Sequence, residues 1–120
     1  MKKLSDSKVS SALARLPNWS LKSGKLHREY KFPDFAHAFG FMATAAPSID
    51  KMDHHPEWAN VYNRVTVDLM THDAQGITQK DVDLATLLEG IRTTGKAPEE
   101  ADIKKALQEF KDGFTSMEGS

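Results

Sequence analysis

The sequence predicts an α+β fold, a two-layer sandwich with helices packed on one face of an antiparallel sheet. Two patterns lead there. Apolar residues recur at helical spacing in four separate stretches, while two other stretches alternate apolar and polar with period two. Turn formers punctuate the boundaries, giving the order α-ββ-α-β(β)-α-α.

Ser5 is placed to cap a first helix that carries Val9, Ala12, Leu13 and Leu16 and stops at Pro17. Trp19 and Leu21 then alternate with polar residues, and Ser23-Gly24 supplies a turn. Leu26, Arg28, Tyr30 and Phe32 share one face of the next segment, with His27, Glu29 and Lys31 on the other, so the pair reads as a hairpin. Asp34 suits the N-cap of the most regular helix, whose apolar stripe runs through Phe35, Ala38, Phe39, Met42, Ala45, Ala46 and Ile49. Pro47 removes a backbone donor inside it, which predicts a kink or a shortened helix.

A second β region follows. Val61, Asn63, Val65, Val67 and Leu69 alternate with Tyr62, Arg64, Thr66 and Asp68. Periodicity permits one long strand, and a tight turn at Tyr62-Asn63 fits equally well, because asparagine tolerates turn conformations. A loop carries Thr71 to Thr78. Thr78 and Asp81 then resemble a capping box opening a helix whose buried face is Val82, Leu84, Ala85, Leu88 and Ile91. A loop around Thr93 to Lys96 leads to a last helix, begun by Pro98 with Glu99 and Glu100 and striped by Ile103, Ala106, Leu107, Phe110 and Phe114.

At 120 residues the chain is expected to form a single domain, residues 1–120, with 93–120 as an additional helical tail. Sixteen basic against seventeen acidic side chains, with no cluster of Lys and Arg among aromatics, argue against nucleic acid as a direct partner. Apolar runs fall far short of the ~20 residues that a membrane span needs. The positive start, MKKLSDSK, has no apolar region behind it, so it does not read as a signal peptide. With no cysteine there is neither disulfide nor thiolate chemistry, and a cytoplasmic location is expected.

The residues suited to chemistry are histidines. His27 and His37 read as solvated positions on polar faces. His54-His55-Pro56 lies in a polar segment ahead of a strand, and His72 lies in a loop just after one, where a scaffold presents its functional groups. With an ordinary pKa near ~6.5, imidazole both gives and takes protons near neutrality, and two held close together separate in pKa. Pro56 restricts His55 to extended backbone and so steadies the pair. Asp53, Asp73 and Asp81 are close enough in sequence to orient an imidazole. A metal site is the competing use of three histidines. HExxH spacing and cysteine are absent, however, and neighbouring histidines on extended backbone point apart.

The run Asp50-Lys51-Met52-Asp53-His54-His55-Pro56-Glu57-Trp58, with Tyr62, His72 and Asp81 at set distances, resembles the pterin-4a-carbinolamine dehydratase family. Trp19 and the segment from Phe32 to Met42 extend that resemblance to roughly Leu13–Gly90. It implies a four-stranded antiparallel sheet, a turn at Tyr62-Asn63, and a homodimer or homotetramer. The implied activity is a hydro-lyase reaction without cofactor or metal. It dehydrates 4a-hydroxytetrahydrobiopterin to quinonoid dihydrobiopterin in support of an aromatic amino acid hydroxylase. By the same resemblance His54 and His72 do the acid/base work, His55 holds the pterin, and Pro56, Trp58, Asp81 and Asp53 complete the site. The alternative it implies is a protein-binding module, a dimerisation cofactor or transcriptional coactivator on the same scaffold. Two features depart from the family pattern: Pro47 within the long helix, and the segment beyond Thr93.

Overall fold

Residues in left-handed backbone close both hairpins of this computed structural model, which describes residues 2–97. Ser23 (φ 51°) and Gly24 (φ 77°) join β1, Ser20–Lys22, to β2, Lys25–Lys31. Tyr62 (φ 51°) joins β3, Glu57–Val61, to β4, Arg64–Leu69, so the second β region is a hairpin and not one strand. The strained residue there is the tyrosine and not Asn63. The Asn60 side-chain amide braces the turn by donating to the Tyr62 and Arg64 carbonyls at 3.0 and 2.9 Å. The four strands form one antiparallel sheet in the order β1-β2-β4-β3.

Register puts Leu26, Arg28 and Tyr30 of β2 beside Leu69, Val67 and Val65 of β4 on the inner face. The helices cover that face. Helix α1 is Asp6–Ala14, capped by Ser5; α2 is Phe35–Met52, capped by Asp34; α3 is Gln79–Thr94, opened by the Thr78/Asp81 capping box. Their buried side chains, among them Ala38, Phe41, Ala45, Ile49, Leu84, Leu88 and Ile91, join the inner strands in one core. The outer face carries His27, Glu29, Asp68 and Glu57, with Ala59 and Val61 beside them on β3.

Three details differ from expectation. The helix α2 runs unbroken through Pro47, because this residue and Ala43, whose carbonyl loses its partner, both lie on the solvent side. The stripe it buries is Ala38, Phe41, Ala45, Ser48 and Ile49, while Phe35 and Phe39 remain about half exposed and pack on each other at 5.8 Å. The sheet's concentration of aromatics around Tyr30 and Phe32 selects Phe41 for the interior. Finally, α3 extends through Thr94, two residues into the segment assigned to the tail, before Gly95 ends it in left-handed backbone. The expected last helix lies outside the described residues.

Candidate functional site

The end of α2 sets up the first half of the site. Asp53 takes left-handed backbone (φ 50°) and donates its amide to the Asp50 carbonyl, so the chain leaves the helix sharply and enters His54-His55-Pro56. The second half comes from the far end of β4, where a 3-10 turn, His72–Ala74, is closed by the Thr71–Gly76 bridge. Antiparallel pairing of β3 with β4 brings these ends together, since Glu57 at the start of β3 faces Asp68 near the end of β4.

Two carboxylates tie the halves to one another. Asp81 is fully buried at the start of α3, and each of its oxygens is used. One accepts from His54 Nε2 at 2.6 Å; the other accepts from Thr71 Oγ1 and from the Thr78 amide, both at 2.8 Å. Thr71 Oγ1 also lies 2.7 Å from Thr78 Oγ1. The second tie is Glu57, which accepts from His72 Nε2 at 3.1 Å and from Lys25 Nζ at 2.5 Å. Residues 54–57 and 71–72 are thereby cross-linked on both sides of the sheet end. The ammonium of Lys25 is the chief cause holding the Glu57 carboxyl below the usual glutamate range.

The imidazoles differ in access. His54 is only 11% exposed, whereas His55 and His72 are 60% and 72% exposed, and His55 Nε2 meets Asp50 at 3.1 Å. All three histidines use Nε2 for a carboxylate, which leaves Nδ1 to other partners. A carboxylate can only accept, so each paired Nε2 carries the hydrogen and, in the neutral ring, Nδ1 holds the lone pair. Among the described residues no group of three or more His, Cys, Asp or Glu side chains is arranged to hold a metal ion.

The remaining sequence-predicted residues divide. Trp58 is half-buried and packs against the core from the inner face of β3, beside Val67, the face opposite Glu57. Pro56 is half-buried between His55 and β3, and Asp53 is exposed at the helix exit. His27 is not simply solvated, because its Nδ1 meets Asp68 at 2.9 Å; His37 pairs with its own cap residue, Asp34, at 2.7 Å. Sequence reasoning missed Glu57, Lys25 and Thr71. Glu57 directly follows Pro56, and that adjacency to the histidine pair was the available signal.

A family model described as Pterin 4 alpha carbinolamine dehydratase matches residues 2–91. A Solibacter usitatus protein with the provisional name pterin-4-alpha-carbinolamine dehydratase is 61% identical over 89 residues, covering 74% of this chain and 94% of that one. A Burkholderia multivorans protein of the same provisional name is 46% identical over 91 residues, 74% and 89% of the two chains. A crystal structure titled transcriptional coactivator/pterin dehydratase from Brucella melitensis superposes with a TM-score of 0.72 at 44% identity, covering 75% of this chain and 98% of that one.

Proposed function

The chain belongs to the pterin 4 alpha carbinolamine dehydratase family, and on that premise we propose that it dehydrates 4a-hydroxytetrahydrobiopterin to quinonoid dihydrobiopterin and water by histidine acid/base catalysis. The observation that carries this reading is the double tie, through Asp81 and Glu57, of the segments bearing His54 and His72. Loss of water from C4a needs one proton delivered to the departing hydroxyl and one removed from N5. The C4a–O bond breaks as the N5–H electrons form the new C=N bond, so no net proton, electron or metal is consumed. One imidazole in each role suffices, and each role is typically worth about 10²–10⁴-fold.

His54 and His72 take the two proton transfers in this reading, and exposed His55 holds the pterin. Asp81 orients His54 through Nε2, while Pro56, Trp58 and Asp53 shape the surroundings. The product serves an aromatic amino acid hydroxylase system in the cytoplasm, as part of tetrahydrobiopterin recycling. Assembly as a homodimer or homotetramer belongs to the same reading and is supported by the apolar side chains left exposed, Phe35, Phe39, Val61 and Tyr62.

The test is the decay of 4a-hydroxytetrahydropterin absorbance with and without purified protein. Acceleration well beyond the spontaneous rate is expected; a rate equal to the spontaneous one overturns the reading. The second reading, a protein-binding coactivator, draws on the name of the Brucella melitensis neighbour. It predicts a captured partner protein together with a silent dehydratase assay.

A further inference from the structure

Glu57 is given no role by the resemblance that suggested the activity, yet it is the partner of the most exposed imidazole of the site. Standing first in β3, it shares the outer face of the sheet with Asp68 and His27, one register row across three strands. Asp68 is engaged by His27 Nδ1 at 2.9 Å. Glu57 is engaged on both oxygens, by Lys25 Nζ from β2 and by His72 Nε2 from the turn after β4. The lysine's own pKa rises, chiefly through its hydrogen bond to Glu57, so the two charges sustain each other.

An anionic carboxylate accepts and never donates. Its partner nitrogen must therefore carry hydrogen, and the neutral ring is left with its lone pair on Nδ1. Without such a partner, a side chain that is 72% exposed would spread over several rotamers and both tautomers. We propose that Glu57, braced by Lys25, is the positioning residue of His72: it holds the ring by Nε2–H and leaves Nδ1 as the nitrogen that exchanges a proton with the substrate. The inference rests on the reading that His72 takes part in the dehydration, and it adds which nitrogen acts and what fixes it.

The test begins with ¹⁵N NMR of the His72 ring in the full chain, which reads the tautomer independently of activity. In the unmodified protein the Nε2–H form is expected to dominate for neutral His72. In Glu57→Ala the ring should relax toward the mixture of a free histidine, and Lys25→Met should move it part of the way. Turnover supplies the second readout. Glu57→Ala is expected to lower kcat by about tenfold with KM within about twofold, a fraction of what a general acid or base contributes, and Glu57→Gln, whose amide oxygen still accepts, should recover part of it. A hydrogen on Nδ1, or a tautomer ratio unmoved by Glu57→Ala, overturns this inference and leaves the dehydratase reading standing. Full turnover in a folded His72→Ala variant overturns the functional reading and the inference together.

Discussion

Asp81 serves two structures with one carboxylate. It is the fourth residue of a capping box that opens α3, and it is the acceptor for His54. Because it is fully buried with donors on both oxygens, truncation would strand the Thr78 amide, the Thr71 hydroxyl and the His54 ring together. Asp81→Ala is expected to lose roughly 3 kcal/mol or more of stability, as removal of one partner from a buried pair does. Urea unfolding measures it, and a loss below about 1 kcal/mol would contradict this account of the network. The residue also marks what sequence could reveal at this scale. The pattern Thr78-x-x-Asp81 is visible as a cap, while proximity in sequence makes Asp81 one of three aspartates able to orient an imidazole and cannot say that His54 is its partner. Glu57 and Lys25 stayed hidden because their pairing depends on strand register, which no local pattern encodes.

Elements are joined by a third carboxylate. Glu89 of α3 accepts from Trp19 Nε1 at 3.0 Å, from Arg28 Nε at 3.2 Å and from the Tyr30 hydroxyl, tying the helix to β2 and to the segment before β1. Burial alone would push the Glu89 carboxyl up, but these donors outweigh it and hold it below the usual glutamate range. Tyr30 is displaced upward, first by its own burial and then by Glu89, so its hydroxyl keeps its proton. A lowered folded-state pKa means that the stabilisation is complete above the unfolded value, ~4.3, and is lost as pH falls through the folded value. Acid unfolding followed by Trp fluorescence should therefore be less steep below about pH 4 in Glu89→Gln than in the unmodified protein; identical slopes would contradict the assignment. For α2, Pro47→Ala restores the amide that the Ala43 carbonyl lacks. It is expected to stabilise the protein by about 1–3 kcal/mol, measured by thermal unfolding, with an unchanged or lower midpoint as the contrary result. Helix α2 also shows how periodicity is limited. Phe39 and Phe41 differ by two positions, and both are apolar, so the stripe leaves the buried choice to the sheet's aromatics.

At the scale of the whole molecule, alternation and turn residues were enough to derive a sheet covered by helices on one side. The strand order and the turn at Tyr62 required tertiary pairing, or similarity, to settle. The same pairing helps make the site, because the β3–β4 hairpin sets Glu57 beside Asp68, and Asp81 and Glu57 join residues 54–57 to 71–72 beyond it. The open apolar residues of α2 and of the β3–β4 turn belong to this scale too. Sedimentation equilibrium should give a mass that is two or four times the 13.4 kDa chain, and a monomer at micromolar concentration would contradict the proposed assembly. The most direct measurement of the central claim is turnover of 4a-hydroxytetrahydropterin by His54→Ala, His72→Ala and the double variant, each shown to be folded. If imidazoles from the two tied segments carry the proton transfers, the double variant falls by about 100-fold or more. Near-normal turnover in that folded double variant would contradict it.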